Sequence, residues 1–541
     1  MSSTRQGDFS RDSFNRLKHF SRVLMQQGRV QLDADSNEQV SILLHYLQTL
    51  AKDLIGEHGG TDDGFKIEGL PSNNFGIQSG HYYVGGILCE LDNSPIRITG
   101  LPSGESDNKW IKVLRLIADN LEFKKDQFIE IYSLAPGAPN PTLSKITDVV
   151  PATMRLNLVQ EIGSFKMEMA PMARRVTTYM TQADYPVLMD DEQKLQNTNC
   201  YLVYIDVWER HITPIEDDNI REVALGVADT ATRAKVVWQV KVHSKLPNDG
   251  DIQQGILLKE VNDNWAAWVD LWQPPNRGQL KVKGKEQPAD DTNPCITSPD
   301  ARYRGAENQL YRVEIHNGNW LDGSQKPTFK WSRENGSVVF PIRTLTGDKV
   351  VLEHLGRDER FGLKEQDWVE IVDDDTVLHG KPGIMAQVDS IYREEVSVTL
   401  LFDGVKAPSY TEDIAIEKHA LLRRWDHKAG NPKKGGLNLE AGAAILQEGA
   451  WLTLEDGVQI QFQETISAKN RYRTGDYWLI PARTATGDVE WPGPVGKPEA
   501  VPPHGIEHHY APLAIIYVDN AGKVECKLDL RCKFEKAASP V

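Results

Sequence analysis

Apolar residues recur with helical spacing in one early stretch and with strand spacing almost everywhere after it. Val40, Leu43, Leu44, Leu47, Leu50, Ala51 and Leu54 follow the i, i+3, i+4, i+7 rhythm of one helix face. Ahead of them Asp35 and Glu38 stand three residues apart, as in a capping box, and Gly56 stands where a C-terminal cap belongs. The pattern predicts an amphipathic helix of about 20 residues, roughly 30 Å long, with Asp35 as its N-cap. Such a stripe serves core packing, the commoner use, or docking on a partner. Asp33-Ala34-Asp35-Ser36-Asn37 also begins like an EF-hand loop, but Glu38 and Leu44 occupy the positions where that loop needs glycine and a bidentate glutamate.

Beyond Gly56 the chain reads as strand and turn. Gly85-Gly86, Asn335-Gly336 and Asp456-Gly457 each lie between β-rich runs, the signal of a tight hairpin. In the last of these, Leu452 and Leu454 alternate with polar residues, as do Val458, Ile460 and Phe462, which fits a half-buried antiparallel pair. Residues 126–158 can be laid beside 366–400, with Phe128-Ile129-Glu130-Ile131 on Trp368-Val369-Glu370-Ile371. Ile146, Val149, Met154, Leu156 and Leu158 then fall on Val388, Ile391, Val396, Val398 and Leu400. Two small β-modules of one kind are the economical explanation. Between them, residues 200–242 read as two long strands around a short helical or turn element. Residues 287–294, 429–436 and 491–503 are rich in Pro, Gly or polar residues and read as linkers.

The expected fold is therefore mainly β and multi-domain: several small antiparallel β-barrel or sandwich modules with one N-terminal amphipathic helix. The segments are an N-terminal arm and helix (1–60), a hairpin and first β-module (61–195), a central β domain (196–345), a second, similar β-module (346–430) and a C-terminal β domain (431–541). A length of 541 residues supports several modules. No run approaches the roughly 18 apolar residues of a membrane span. The opening "MSSTRQGDFSRDSFNR" lacks the apolar core of a secretory signal, so a cytoplasmic location is expected. A net charge of −16 without a dense basic run argues against a nucleic-acid partner. The five cysteines are scattered, which points to buried free thiols rather than a disulfide framework or a cysteine zinc site.

The sharpest catalytic candidate is His504-Gly505-Ile506-Glu507-His508, an H-x-x-E-H pattern in which two histidines would hold zinc and the glutamate would activate water. Pro502, Pro503, Gly505 and Pro512 oppose the helix that this chemistry needs, so a proline-bounded loop with locally bonded His504, His508 and His509 is favoured. Asp373-Asp374-Asp375 could hold a hard cation, though a solvated turn is the commoner use. Trp265, Trp268 and Trp272 sit at i, i+3, i+7 and could form an aromatic platform for a glycan or a receptor, but core or interface is the commoner role. Arg473, Asp476 and Arg483 could form a polar site or a satisfied charge network. Walker, Rossmann and hydrolase-elbow motifs are absent.

Five ordered stretches are more specific: 20–39, 221–242, 302–319, 329–341 and 472–483. Together they resemble an uncharacterised bacterial domain family encoded in gene clusters for contractile injection systems, the phage-tail-like particles. The resemblance runs from about residue 9 to residue 534. The opening stretch is also similar to the attachment segment of phage baseplate and tail-fibre proteins: an extended arm, a Gly28-Arg29-Val30 strand, then a helix start, with Ser36 where relatives often carry an aromatic. The resemblance implies a structural subunit without catalysis or cofactor, a baseplate-associated wedge, fibre or cage-like accessory assembled in the cytoplasm. Implied partners are other particle subunits and further copies of the chain: the arm and the helix face of Val40, Leu43, Leu44, Leu47, Leu50 and Leu54 would dock on a neighbour, and the β-modules would present lateral surfaces for self-association. The alternatives are a glycan- or receptor-binding adhesin using the tryptophans, and a zinc hydrolase effector using His504, Glu507 and His508.

Overall fold

The computed structural model describes residues 6–102, 108–119, 121–162, 164–185, 194–226, 229–285, 302–318, 326–465, 469–494 and 496–534. The chain forms two compact units, each from three separated stretches. The larger comprises Met1–Tyr46, Trp208–Lys235 and Asp270–His508, the smaller Leu47–Val207, Val236–Val269 and His509–Val541. The fold is mainly β throughout, as the alternation of apolar and polar residues predicts.

Each unit contains one six-stranded closed barrel. In the smaller unit the strands are Ile96–Gly100, Trp110–Val113, Phe128–Tyr132, Thr142–Val150, Arg155–Leu158 and Met172–Val176. In the larger they are Val339–Thr346, Lys349–Leu352, Trp368–Val372, Ile384–Tyr392, Ser397–Leu401 and Leu421–Trp425. Counted one to six in chain order, both sets close as 1-2-5-4-3-6. The internal similarity is thus a duplicated barrel, and it extends to its irregularities. Strands four and five pair Ile146 with Leu158 in one and Val388 with Leu400 in the other, with a bulge at the same place. Strands one and two bulge between Ile98 and Gly100, and between Ile342 and Thr344. Asp126 and Gln366 share a left-handed backbone (φ 71° and 69°), as do Met154 and Val396 (φ 51° and 49°). Bulges bend a strand and increase its twist, which small barrels need in order to close.

Each barrel buries an apolar core, around Ile129, Ile146 and Leu156 in one and Val369, Val388 and Val398 in the other. A buried arginine holds the connection between strands two and three in both. Arg175 donates to the carbonyls of Ala118, Leu121 and Glu122, and Arg424 to those of Arg360 and Gly362. Loop carbonyls that closure removes from water are satisfied in this way.

In the larger unit a six-stranded sheet is built on Thr328–Ser332, Gln309–Asn317 and Tyr477–Arg483. One face of it shares an apolar core with a three-stranded sheet of Leu280–Gly284, Val458–Phe462 and Leu452–Thr453. A four-stranded sheet places Cys200–Ile212 between Arg233–His243 and His509–Val518, with Val524–Asp529 at the edge; the smaller unit holds it except for residues 208–212 and 233–235. The two long strands expected in residues 200–242 are present, joined by short 3-10 turns.

Helix α1 spans Asp33–Ile55, longer at its start than the sequence pattern suggests. Asp35 is inside it rather than its N-cap, and its carboxylate accepts the Leu32 N–H at 3.2 Å, while Glu38 accepts from the Ser13 hydroxyl. Gly56 ends the helix with φ +97°. The Gly85-Gly86 hairpin forms as expected, with Val84 opposite Ile87. A Cβ on Gly86 would lie 2.2 Å from the Gln48 carbonyl oxygen, so this turn is fixed by its approach to α1. The Asp456-Gly457 hairpin also forms. Asn335-Gly336 is a turn but not a hairpin: Thr328–Ser332 pairs with Gln309–Asn317, whereas Val339–Thr346 enters the barrel. Gly28-Arg29-Val30 forms no strand. Residues 287–294, read as a linker, lie outside the described residues; 429–436, which includes the 3-10 turn Pro432–Lys434, and the described residues 491–494 and 496–503 are connections inside the larger unit. Cys89 and Cys200 are buried, whereas Cys526 and Cys532 are exposed, against the expectation of buried thiols throughout; Cys295 lies outside the described residues.

Replacing Arg424 by Met would orphan the buried Gly362 carbonyl and the partly buried Arg360 carbonyl. A loss of about 2–4 kcal/mol is expected, read as a lower urea midpoint with an unchanged slope.

Candidate functional site

The sheet strands of the larger unit alternate two chemistries. Tyr311, Val313, Ile315, Phe329 and Trp331 enter the apolar core. The residues between them, Arg312, Glu314 and Lys330, project to the opposite face, as strand periodicity requires. Glu370 stands on the outside of the barrel in the same unit. Lys330 joins the two layers: its ammonium lies 3.1 Å from Glu314 and 2.6 Å from Glu370. Arg312 Nε lies 2.5 Å from Glu314, and its guanidinium stacks 3.7 Å from the Tyr477 ring centroid. All four charged side chains are at most 7% exposed.

A cavity of about 110 Å³ opens onto this layer, lined also by Arg210, His211, Glu216, Thr376, Arg423 and Gly475. Arg210 pairs with Asp374 at 2.5 Å and stands 3.7 Å from Glu216. Burial alone would raise the Glu314 carboxyl, but Lys330 and Arg312 outweigh it and hold it at about 2. Burial, then the cations Arg423, Arg312 and Arg210, push His211 down to about 3, so it is a neutral imidazole. Its Nε2 lies 2.8 Å from the Thr232 hydroxyl.

Beside this layer the N-terminal arm crosses the larger unit. Asn335 donates to the Gly7 carbonyl at 2.9 Å, Arg483 donates to the Ser10 carbonyl at 2.9 Å, and Gln6 donates to Glu314 at 3.0 Å. Phe9 packs on Leu310, Tyr477, Leu479 and Ile506. The start of the arm is therefore held by its own chain rather than extended towards a neighbour. Under it, burial raises the Glu334 carboxyl to about 7, helped by Asp426 and Asp8, despite a 2.8 Å contact with Arg360.

The H-x-x-E-H residues form no helix. His504 precedes a strand that starts at His509, and its Nδ1 accepts the Leu479 N–H at 3.0 Å. Burial lowers the His504 pKa to about 4. His508 stacks on Trp208 with ring centroids 4.8 Å apart. Among the described residues no group of three or more His, Cys, Asp or Glu side chains is placed to hold a metal ion. The three aspartates are not a solvated turn. Asp373 caps the short helix Asp374–Leu378 and accepts from the Tyr410 hydroxyl, Asp374 meets Arg210 and His419, and Asp375 meets Lys418. Arg473 and Arg277 pair with the buried Asp476, but Arg483 turns away to Glu490 and Ser10.

The tryptophans of Leu258–Trp272 form no open platform. Trp268 is fully buried, with its Nε1 donating to the Lys245 carbonyl, and Trp265 and Trp272 are half-buried. The α1 stripe behaves differently. Ala34 and Ile42 are its buried positions, while Val40, Leu43, Leu44, Leu47, Leu50 and Leu54 are all exposed, Leu47 at 62%. Leu17, Phe20, Leu24, Met25, Val30 and Leu32 in the arm are exposed as well.

The profile of a family of unknown function, DUF6519, matches residues 5–104, 176–270 and 273–539. The chain belongs to this family. The DUF6519 match covers the strands that carry Arg312, Glu314, Lys330 and Glu370; residues 105–175, which hold most of the first barrel, lie outside it. No curated protein and no solved structure matches the chain.

Sequence reasoning missed the charged layer because each of its members sits at an ordinary polar position of an alternating strand. The available signal was that Arg312, Glu314 and Lys330 fall within the ordered stretches that carry the resemblance.

Two outcomes are expected. Lys330→Met leaves the buried Glu370 without a cation and Glu314 with Arg312 alone, and should destabilise the larger unit by about 3–5 kcal/mol in urea unfolding. Glu334, raised from 4.5 to about 7, contributes stability that is complete below 4.5 and lost as pH rises through about 7. In Glu334→Gln the loss over that window should be smaller than in the parent chain, read as the unfolding midpoint against pH.

Proposed function

We propose that this DUF6519 chain is a non-catalytic structural subunit of a contractile injection particle, placed at or around the baseplate and present in several copies. The resemblance of the five ordered stretches supports the particle. The observation that carries the structural role is the exposed stripe of α1. Val40, Leu43, Leu47, Leu50 and Leu54 are spaced 3-4-3-4, the seam that a second helix fills knobs-into-holes. Ala34, close to the opposite side of the helix, and Ile42, about a third of a turn from the seam, are the buried positions, so α1 is anchored away from the seam that it offers.

Burying five such side chains contributes on the order of 10 kcal/mol before association costs are subtracted. Among the described residues no other stretch of comparable length exposes as many large apolar side chains as the arm and α1 together. The partner implied is a helical segment of a neighbouring particle subunit or of another copy.

Leu47→Asp with Leu50→Asp should leave the fold intact, because both side chains are exposed, while removing the chain from purified sheathed particles as judged by mass spectrometry. Particles that lack the unsubstituted chain would overturn the proposal.

A further inference from the structure

The duplicated barrels provide an internal comparison at one cross-strand position. In the first barrel Glu130 is opposite Arg174, with guanidinium nitrogens 2.6 and 2.5 Å from the carboxylate. In the second, the corresponding residues are Glu370 and Arg423. Here Glu370 is taken by other donors: Lys330 at 2.6 Å to both oxygens, Trp425 Nε1 at 2.9 Å and the Gly383 N–H at 3.1 Å. These four contacts fill the acceptor capacity of a carboxylate. Arg423 keeps one hydrogen bond, to the Gly336 carbonyl at 3.0 Å, and among the described residues it has no ion pair. Arg423 is among the residues that line the 110 Å³ cavity.

Glu314, Glu370 and Glu216 act on Arg423 through space without pairing with it, while burial works against its charge. Lys330 and Arg312 neutralise Glu314 and Glu370. Arg210 lies between Asp374 and Glu216, and Asp374 also bonds His419, whose pKa that contact raises. A half-buried guanidinium outside any ion pair keeps N–H donors for a ligand, and its planar fork matches a carboxylate. The cavity has room for roughly four waters at about 30 Å³ each, so the ligand is small.

We propose that this cavity binds one small carboxylate ligand, with Arg423 as its principal partner and Arg312 beside it. The site is independent of the α1 docking face.

Calorimetric titration of the full chain with acetate and propionate, against chloride at matched ionic strength, tests the site. Saturable acetate binding is expected, weakened roughly 10- to 100-fold in Arg423→Met and unchanged in Arg174→Met, which alters the paired copy. No saturable heat with either carboxylate, equal binding of chloride, or an Arg423→Met chain that binds like the parent overturns the proposal. A second measurement needs no variant. Acetate should slow modification of Arg423 by phenylglyoxal in the unsubstituted chain, read by peptide mass spectrometry, and leave Arg174 unaffected; an unchanged rate at Arg423 also overturns it.

Discussion

The larger unit depends on one ammonium group. Lys330 reaches from the sheet to the barrel and is the shared partner of Glu314 and Glu370, one from each layer. The sheet is apolar on the face that meets its companion sheet and ionic on the face that meets the barrel. A buried ionic layer adds little net stability compared with an apolar one, because desolvation offsets most of the attraction. Its contribution is specificity: each carboxylate oxygen needs a donor at a defined place, so sliding or rotation of the barrel on the sheet would strand charges. The stacking of Lys330 over Trp425 and of Arg312 over Tyr477 fixes the cations further.

The duplicated barrel shows how such a layer can arise from an ordinary surface pair. Glu130 and Arg174 form a partly exposed cross-strand ion pair, worth little by itself. The equivalent Glu370 has lost contact with water and has been given Lys330, Trp425 and a backbone amide as donors. The inward arginine one position further on keeps the same task in both copies, holding the loop between strands two and three. The two copies therefore share the inward structural residue and differ on their outer surface.

The barrels were legible because Phe128-Ile129-Glu130-Ile131 and Trp368-Val369-Glu370-Ile371 repeat a local pattern, and strand, turn and bulge follow from local spacing. Asn335-Gly336 misled for the converse reason. The turn chemistry is correct, but the partner of each flanking strand is chosen by distant segments. The charged layer was not legible, because Lys330 and Glu370 are forty positions apart and each alone reads as a solvent-facing strand residue. The α1 stripe was read correctly as apolar and helical; whether such a face is covered is decided by what packs on it, and here its seam stays open. Trp268 gives the opposite result within the same kind of pattern, because its indole N–H finds a backbone carbonyl in the interior.

The interleaving of the two units has a consequence for synthesis. The larger unit needs its first stretch, Met1–Tyr46, and its last, Asp270–His508. A nascent chain leaving the ribosome therefore presents the apolar α1 long before the sheet that receives Phe9 and Gln6 has been translated, and pairing across such sequence separations is slow. During that interval the stripe is a target for chaperones, and for sister chains emerging from the same polysome.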